Sequence, residues 1–192
     1  MIGREVSLAQ PVGRTRLSFE MIVRQLRRRT FGVLATVGAD GRSHSVGVEY
    51  GVFTGAGAFE IYVMTRRQLK KARDIAANPN VSFVVPLTRR LLWFLPPPCI
   101  QFEGTAVILD RTDKRGVETF RRFFMGRRIL KMYDELERRG ETRTCFLRIT
   151  PAPVVSTYMV GHSIWELSRR MEVGMEKVEV PATYRSTPAQ GG

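Results

Sequence analysis

The sequence predicts a mainly β protein, an antiparallel barrel of about six or seven strands with flanking helices (an α+β arrangement). Three observations point there: apolar runs of strand length recur between residues 31 and 158, Gly-rich turns join most of them, and only two helical stretches interrupt the series. Strands alternating regularly with helices would instead indicate a parallel sheet. At 192 residues the chain suits one domain with short appendages, and a domain of that size buries roughly 70% of the surface its unfolded chain exposes. We divide it into an N-terminal arm (1–17), a single barrel domain (18–160) and a C-terminal extension ending in a tail (161–192).

Ser18 fits the N-cap of a helix running to about Arg29, with Phe19, Ile22, Val23 and Leu26 on one side. Residues 31–37 are strand-like, and Gly38-Ala39-Asp40-Gly41-Arg42 is a turn. The chain returns through 44–53, where Val46, Val48, Tyr50 and Val52 form the larger apolar face. A second turn at 54–58 leads into strand 59–64. Residues 67–77 read as a short helix that stops before Asn78-Pro79. Strand 81–85 follows, then an apolar, proline-broken insertion at 87–98 and a long strand at 100–109. Residues 112–138 carry one helical pattern, with Val117, Phe120, Phe124, Ile129, Leu130, Tyr133 and Leu136 as packing positions. Strands 146–149 and 154–158 close the sheet, and 180–192 read as tail.

Composition narrows the function classes. The hydrophobic share of 43% excludes general disorder. No run approaches the ~20 apolar residues of a membrane span, and the N-terminus lacks a signal-type apolar stretch. Cys99 and Cys145 form neither a disulfide scaffold nor a zinc spacing, and two histidines, His44 and His162, give little basis for a metal site. A cytoplasmic setting is the expectation. Against 18 acidic residues stand 31 Lys and Arg, a net charge of +13, which points to an anionic partner. No helix-turn-helix, RNP or zinc-finger pattern accompanies the charge, so nucleic acid is not the expected one. Arg27-Arg28-Arg29 and the pairs Arg121-Arg122 and Arg127-Arg128 read as solvated helix faces.

The stretch from Tyr62 to Ser82 carries the chemistry. A strand ends at Thr65 and a helix with Lys70 and Lys71 in its first turns follows. Free N–H groups and the helix dipole favour an anion there. The Thr65 hydroxyl and the cations Arg66, Lys70 and Lys71 supply further hydrogen bonds, and phosphate is the natural guest. The plainer alternative is a solvated basic helix face.

This stretch resembles the phosphate-binding segment of the pyridoxamine 5′-phosphate oxidase-like family, the flavin-binding split β-barrels. The family's threonine falls on Thr65, with Met64 beside it, its basic pair on Lys70-Lys71 and its Asn-Pro on Asn78-Pro79. Leu34–Val37 with Asp40-Gly41-Arg42 is similar to the family's opening hairpin, Ser43–Val48 to its second strand and Gln101–Ala106 to its Glu-Gly-containing strand. The aligned position of the family's second-strand arginine is Val46, and no arginine-rich substrate motif appears in the last forty residues. The resemblance therefore implies an FMN-binding oxidoreductase of the wider group and not pyridoxamine phosphate oxidation itself. The alternatives are a deazaflavin (factor 420)-dependent reductase on the same fold, and a non-catalytic flavin-binding or basic membrane- or nucleic-acid-associated module.

The resemblance further implies a homodimer with cofactor sites at the subunit interface and a small-molecule substrate. Val46, Gly47 and Val48 would frame the flavin ring, Gly47 by allowing close approach, or form a plain strand with one weak spot. Gln101 is a candidate to reach the ring. His44 is the one candidate catalytic donor, or else a satisfied strand-end histidine. The 89–98 insertion would shape the substrate side, touch membrane lipid through Trp93, or lie buried against the protein.

Overall fold

The computed structural model describes residues 17–87, 97–160 and 174–185. The N-terminal arm up to residue 16, the insertion over 88–96 and His162 lie outside the described residues. In chain order the elements are α1 (Phe19–Arg27), β1 (Phe31–Val37), β2 (Ser43–Gly55), β3 (Ala58–Arg66), α2 (Lys70–Ala77), β4 (Asn80–Pro86), β5 (Cys99–Asp110), α3 (Lys114–Arg121), α4 (Phe124–Arg138), β6 (Thr144–Pro151), β7 (Val154–Tyr158) and β8 (Met175–Glu179).

The strands are antiparallel neighbours in the order β4-β1-β2-β3-β6-β5-β7-β8, and pairing of β4 with β5 closes the first six into a barrel. β7 and β8 extend the sheet beyond β5. Alternate residues of each strand fill the interior, among them the fully buried Leu34, Tyr50, Ile61, Phe83, Ile100, Leu147 and Ile149. α1 closes one end. Ser18 caps it by accepting a hydrogen bond from the Met21 N–H, and the Tyr50 hydroxyl donates to its Leu26 carbonyl at 2.9 Å. Strand β5 serves two neighbours on one edge, β7 through 99–101 and β6 through 104–110. At that exchange a Cβ on Gly104 would stand 2.4 Å from the Thr150 carbonyl oxygen, so only glycine lets β6 approach.

Three expectations are corrected. The single helical pattern at 112–138 is two helices, because the apolar stripe has to fold back onto one patch of sheet. Phe120 and Phe123 tuck under the corner and pack with Tyr62 and Phe146 in a second core outside the barrel. A straight helix over 112–138 would run about 40 Å and carry one end past the sheet. Phe124, expected to pack, is exposed, with the Arg128 guanidinium over its ring. The tail is also partly structured. β8 pairs with β7, and Tyr184, in a 3-10 turn at Ala182–Tyr184, packs its ring on Phe19 with centroids 5.2 Å apart.

Candidate functional site

The site expected from the sequence sits where β3 hands over to α2, at the end of the barrel away from α1. Met64 faces outward into the second core beneath α3 and α4, so its neighbour Thr65 faces the barrel side of the sheet, opposite Cys145 on β6. Thr65 is 1% exposed. Leu69 occupies the N-cap of α2 and offers no side-chain acceptor, which leaves the first N–H groups of the helix uncapped.

Lys70 and Lys71 part company here. The Lys70 ammonium lies 3.0 Å from one Asp74 oxygen and 3.2 Å from the other, one helical turn on. Asp74 also accepts from the Thr36 hydroxyl at 2.9 Å and lies 3.7 Å from His44 Nδ1. Burial alone would raise the Asp74 carboxyl, but the hydrogen bonds from Lys70 and Thr36 outweigh it and hold the group below the ordinary carboxylate range. This cluster ties α2 to β1 and β2. Lys70, expected at the phosphate, is engaged in that tie, while the Nδ1 of His44, the catalytic candidate, is enclosed near Asp74 without a hydrogen-bond partner.

Lys71 is half-buried and has no carboxylate within ion-pair distance among the described residues. Burial, and then the nearby Arg66 guanidinium, push its ammonium below the usual lysine range. The acid nearest Arg66 is Glu141, 3.9 Å away. Both Glu141 oxygens are already held by Arg143, at 2.9 and 3.0 Å. Arg143 keeps that carboxyl down at about 2. Lys71 thus lies near Arg66, whose ion-pair partner is Glu141, close to a helix start without a side-chain cap.

The ring-side candidates are placed differently. The Tyr50 N–H donates to the Thr30 carbonyl at 2.7 Å, so antiparallel alternation aims the backbone groups of Val48, Val46 and His44 at β1. Those of Ser45, Gly47 and Glu49 face the other edge, where β3 pairs only from Tyr50 onward. Among the described residues the open backbone edge therefore belongs to Ser45, Gly47 and Glu49. Val48 is buried in the barrel and Val46 packs against its core. Gly47 does accept a ring at close range, but it is the ring of Phe31, 2.7 Å from where a Cβ would stand.

Gln101 is exposed on β5, in a row with Val84, Val33 and Gly47. It stands three strands, about 14 Å, from Gly47. Thr65 aligns through Cys145 with Asp110, nine residues and about 30 Å farther along β5. Met64 lines a groove of about 690 Å³ between β3 and the two outer helices, with Arg111, Arg121, Arg127 and Lys131 on its walls.

Asp74, Thr36 and Glu141 are the polar residues that sequence reading missed. The spacing of Lys70 and Asp74, four apart on a helix, was the available signal for one of them.

Six antiparallel strands closed into a barrel, extended by β7 and β8 and flanked by helices, define the fold class. Residues 19–157 match the family model of pyridoxamine 5′-phosphate oxidase, and the chain belongs to that family. Over 60 residues it is 40% identical to the 5a,11a-dehydrotetracycline/5a,11a-dehydrooxytetracycline reductase of Streptomyces rimosus, a match covering 31% of this chain and 42% of that protein's length. Among solved structures it is similar to the heme storage protein HutZ from Vibrio cholerae, with TM-score 0.55 and 20% identity over 72% of this chain and 94% of that one. It is also similar to a pyridoxamine 5′-phosphate oxidase-related, FMN binding protein from Nostoc punctiforme, with TM-score 0.51 and 14% identity over 72% and 82% of the two chains. Identities this low establish a shared fold. No helix among the described residues is long and apolar enough to cross a membrane.

Proposed function

We propose that the protein is an FMN-binding oxidoreductase, active as a homodimer on a small molecule. The observation that carries this reading is Lys71, half-buried near Arg66 at the uncapped start of α2 with no carboxylate within ion-pair distance among the described residues. A phosphate monoester placed there receives charge-assisted hydrogen bonds from both cations, and its charge relieves the repulsion between them. Lys70 has a different task, holding Asp74 and through it the orientation of α2. The unpaired edge at Ser45, Gly47 and Glu49 offers donors and acceptors to the polar rim of a ring. When bound, a flavin supplies hydride or electron transfer, and the protein's part is to hold it and shape its surroundings.

A second reading, a deazaflavin-dependent reductase, has one observation in its favour. The groove starting at Met64 continues the positive charge through Arg121, Arg127 and Lys131, which suits a cofactor with a phosphodiester and an acidic tail.

The absorbance spectrum of the purified protein, with released material weighed by mass spectrometry, distinguishes these. Flavin bands and the mass of FMN support the first reading, and the deazaflavin mass supports the second. A heme Soret band, or no binding when either flavin is supplied, overturns both.

A further inference from the structure

A second cleft lies between the end of α1, the middle of β2 and α3. It encloses about 290 Å³, and its walls include Arg27, Arg29, Gly51, Thr119 and Arg122 and, among the described residues, no acidic side chain. Expected to be a solvated arginine, Arg29 is instead half-buried, and its Nε is enclosed without a hydrogen-bond partner. Glu49, on the neighbouring strand, is not within ion-pair distance of it among the described residues. Arg27 and Arg122 each spend one contact on the protein, with Thr54 and Glu118, and retain donors.

Thr119 is the decisive residue. It is 1% exposed, yet its hydroxyl has no partner. A threonine inside a helix ordinarily satisfies its hydroxyl on the carbonyl one turn back or on solvent. The Thr119 methyl lies so close to Gly51 that a Cβ there would come within 2.6 Å of it. Gly51 thus keeps the cleft open and lets Thr119 form its wall. The enclosed Nε of Arg29 and the buried Thr119 hydroxyl both lack partners, and their residues line one cleft with no acid among its described walls, an unfinished hydrogen-bonding set for an oxyanion.

We propose that this cleft is a second anion-binding site, taking the phosphate or carboxylate group of a small molecule. Its volume falls just below the range of pockets for drug-sized ligands, so it suits the acidic end of a molecule and not a polymer. Gly51 pairs with Tyr62, three residues before Thr65, about 10 Å along β3 from the proposed phosphate site. The two sites are separate and the second does not depend on the flavin reading.

The test uses Lys71→Ala protein, so that the proposed phosphate site does not contribute. Inorganic phosphate and malonate are each titrated calorimetrically at low ionic strength. At least one anion should bind with millimolar affinity, and the better one names the ligand class. Adding Arg29→Gln should weaken it 10-fold or more, and Thr119→Val 3- to 10-fold. Arg24→Gln, on the exposed face of the same helix, should change it less than 2-fold. If Arg29→Gln does not fold, as judged by circular dichroism, Thr119→Val and Arg122→Gln decide. No binding of either anion, full binding by the cleft variants, or an equal loss in Arg24→Gln would overturn the proposal.

Discussion

Lys70 and Lys71 are neighbours in the chain and face different surroundings, one a buried aspartate and the other an arginine. Substituting them should therefore have different consequences. Lys71→Ala removes a charge-assisted bond to phosphate and should weaken FMN binding by about 1.5–3 kcal/mol, roughly 10- to 100-fold, with the melting temperature of the unliganded protein nearly unchanged. Equal affinity in a fluorescence titration would remove Lys71 from the site. Asp74→Ala takes away the acceptor shared by Lys70 and Thr36 and should cost about 1–3 kcal/mol of stability in urea denaturation. The pH dependence has a definite sign. Because the folded state holds the Asp74 carboxyl below its unfolded value, its contribution is complete above the ordinary aspartate range and is lost as pH falls through and below that range. Asp74→Asn should flatten this acid limb of the stability curve. An unchanged limb would mean that other carboxylates set it.

At the scale of elements, the corner between α3 and α4 is the most demanding piece of the fold. It turns within two residues because Gly126 lets the start of α4 lie against the Phe120 carbonyl oxygen, which a Cβ would approach to 2.2 Å. Backbone cannot move aside as a flexible side chain can. Gly126→Ala should therefore cost about 1–3 kcal/mol by overpacking, although alanine has the higher helix propensity. A urea midpoint equal to or above that of the unsubstituted protein would show that the corner relaxes. The same corner gives the Met64 groove its shape and sets Thr119 against Gly51, so both cavities inherit their form from one helix break.

The whole molecule carries a net charge of +13, and the structure distributes it unevenly. Much of it is neutralised locally, as in Arg111 with Asp134 and Glu137, or Arg138 and Arg139 with Glu135. The Met64 groove and the α1–α3 cleft keep an excess of cationic side chains, and both are concave. Focusing of like charge into clefts favours anionic small ligands over an extended polyanion. If cofactor sites form between two copies of the chain, sedimentation equilibrium should give twice the chain mass of 21.9 kDa. A single-chain mass with FMN bound would confine the site to one protomer.

What the amino-acid order determined by itself is the part written in local, periodic terms. Alternation of two laid out the barrel strands, the turn at Gly38–Arg42 paired β1 with β2, and Ser18 began α1. Each of these depends on groups a few residues apart, so a short window contains its cause. Only the tertiary structure decided that Asp74, beside Lys70, also meets Thr36 and His44, because those two lie across the barrel end from it. It also decided that Phe31 covers Gly47, that β8 joins the sheet, that α3 and α4 break apart and that Arg29 is enclosed. In every such case the controlling contact comes from residues distant in the chain, whose approach is set by closure of the barrel and packing of the helices upon it.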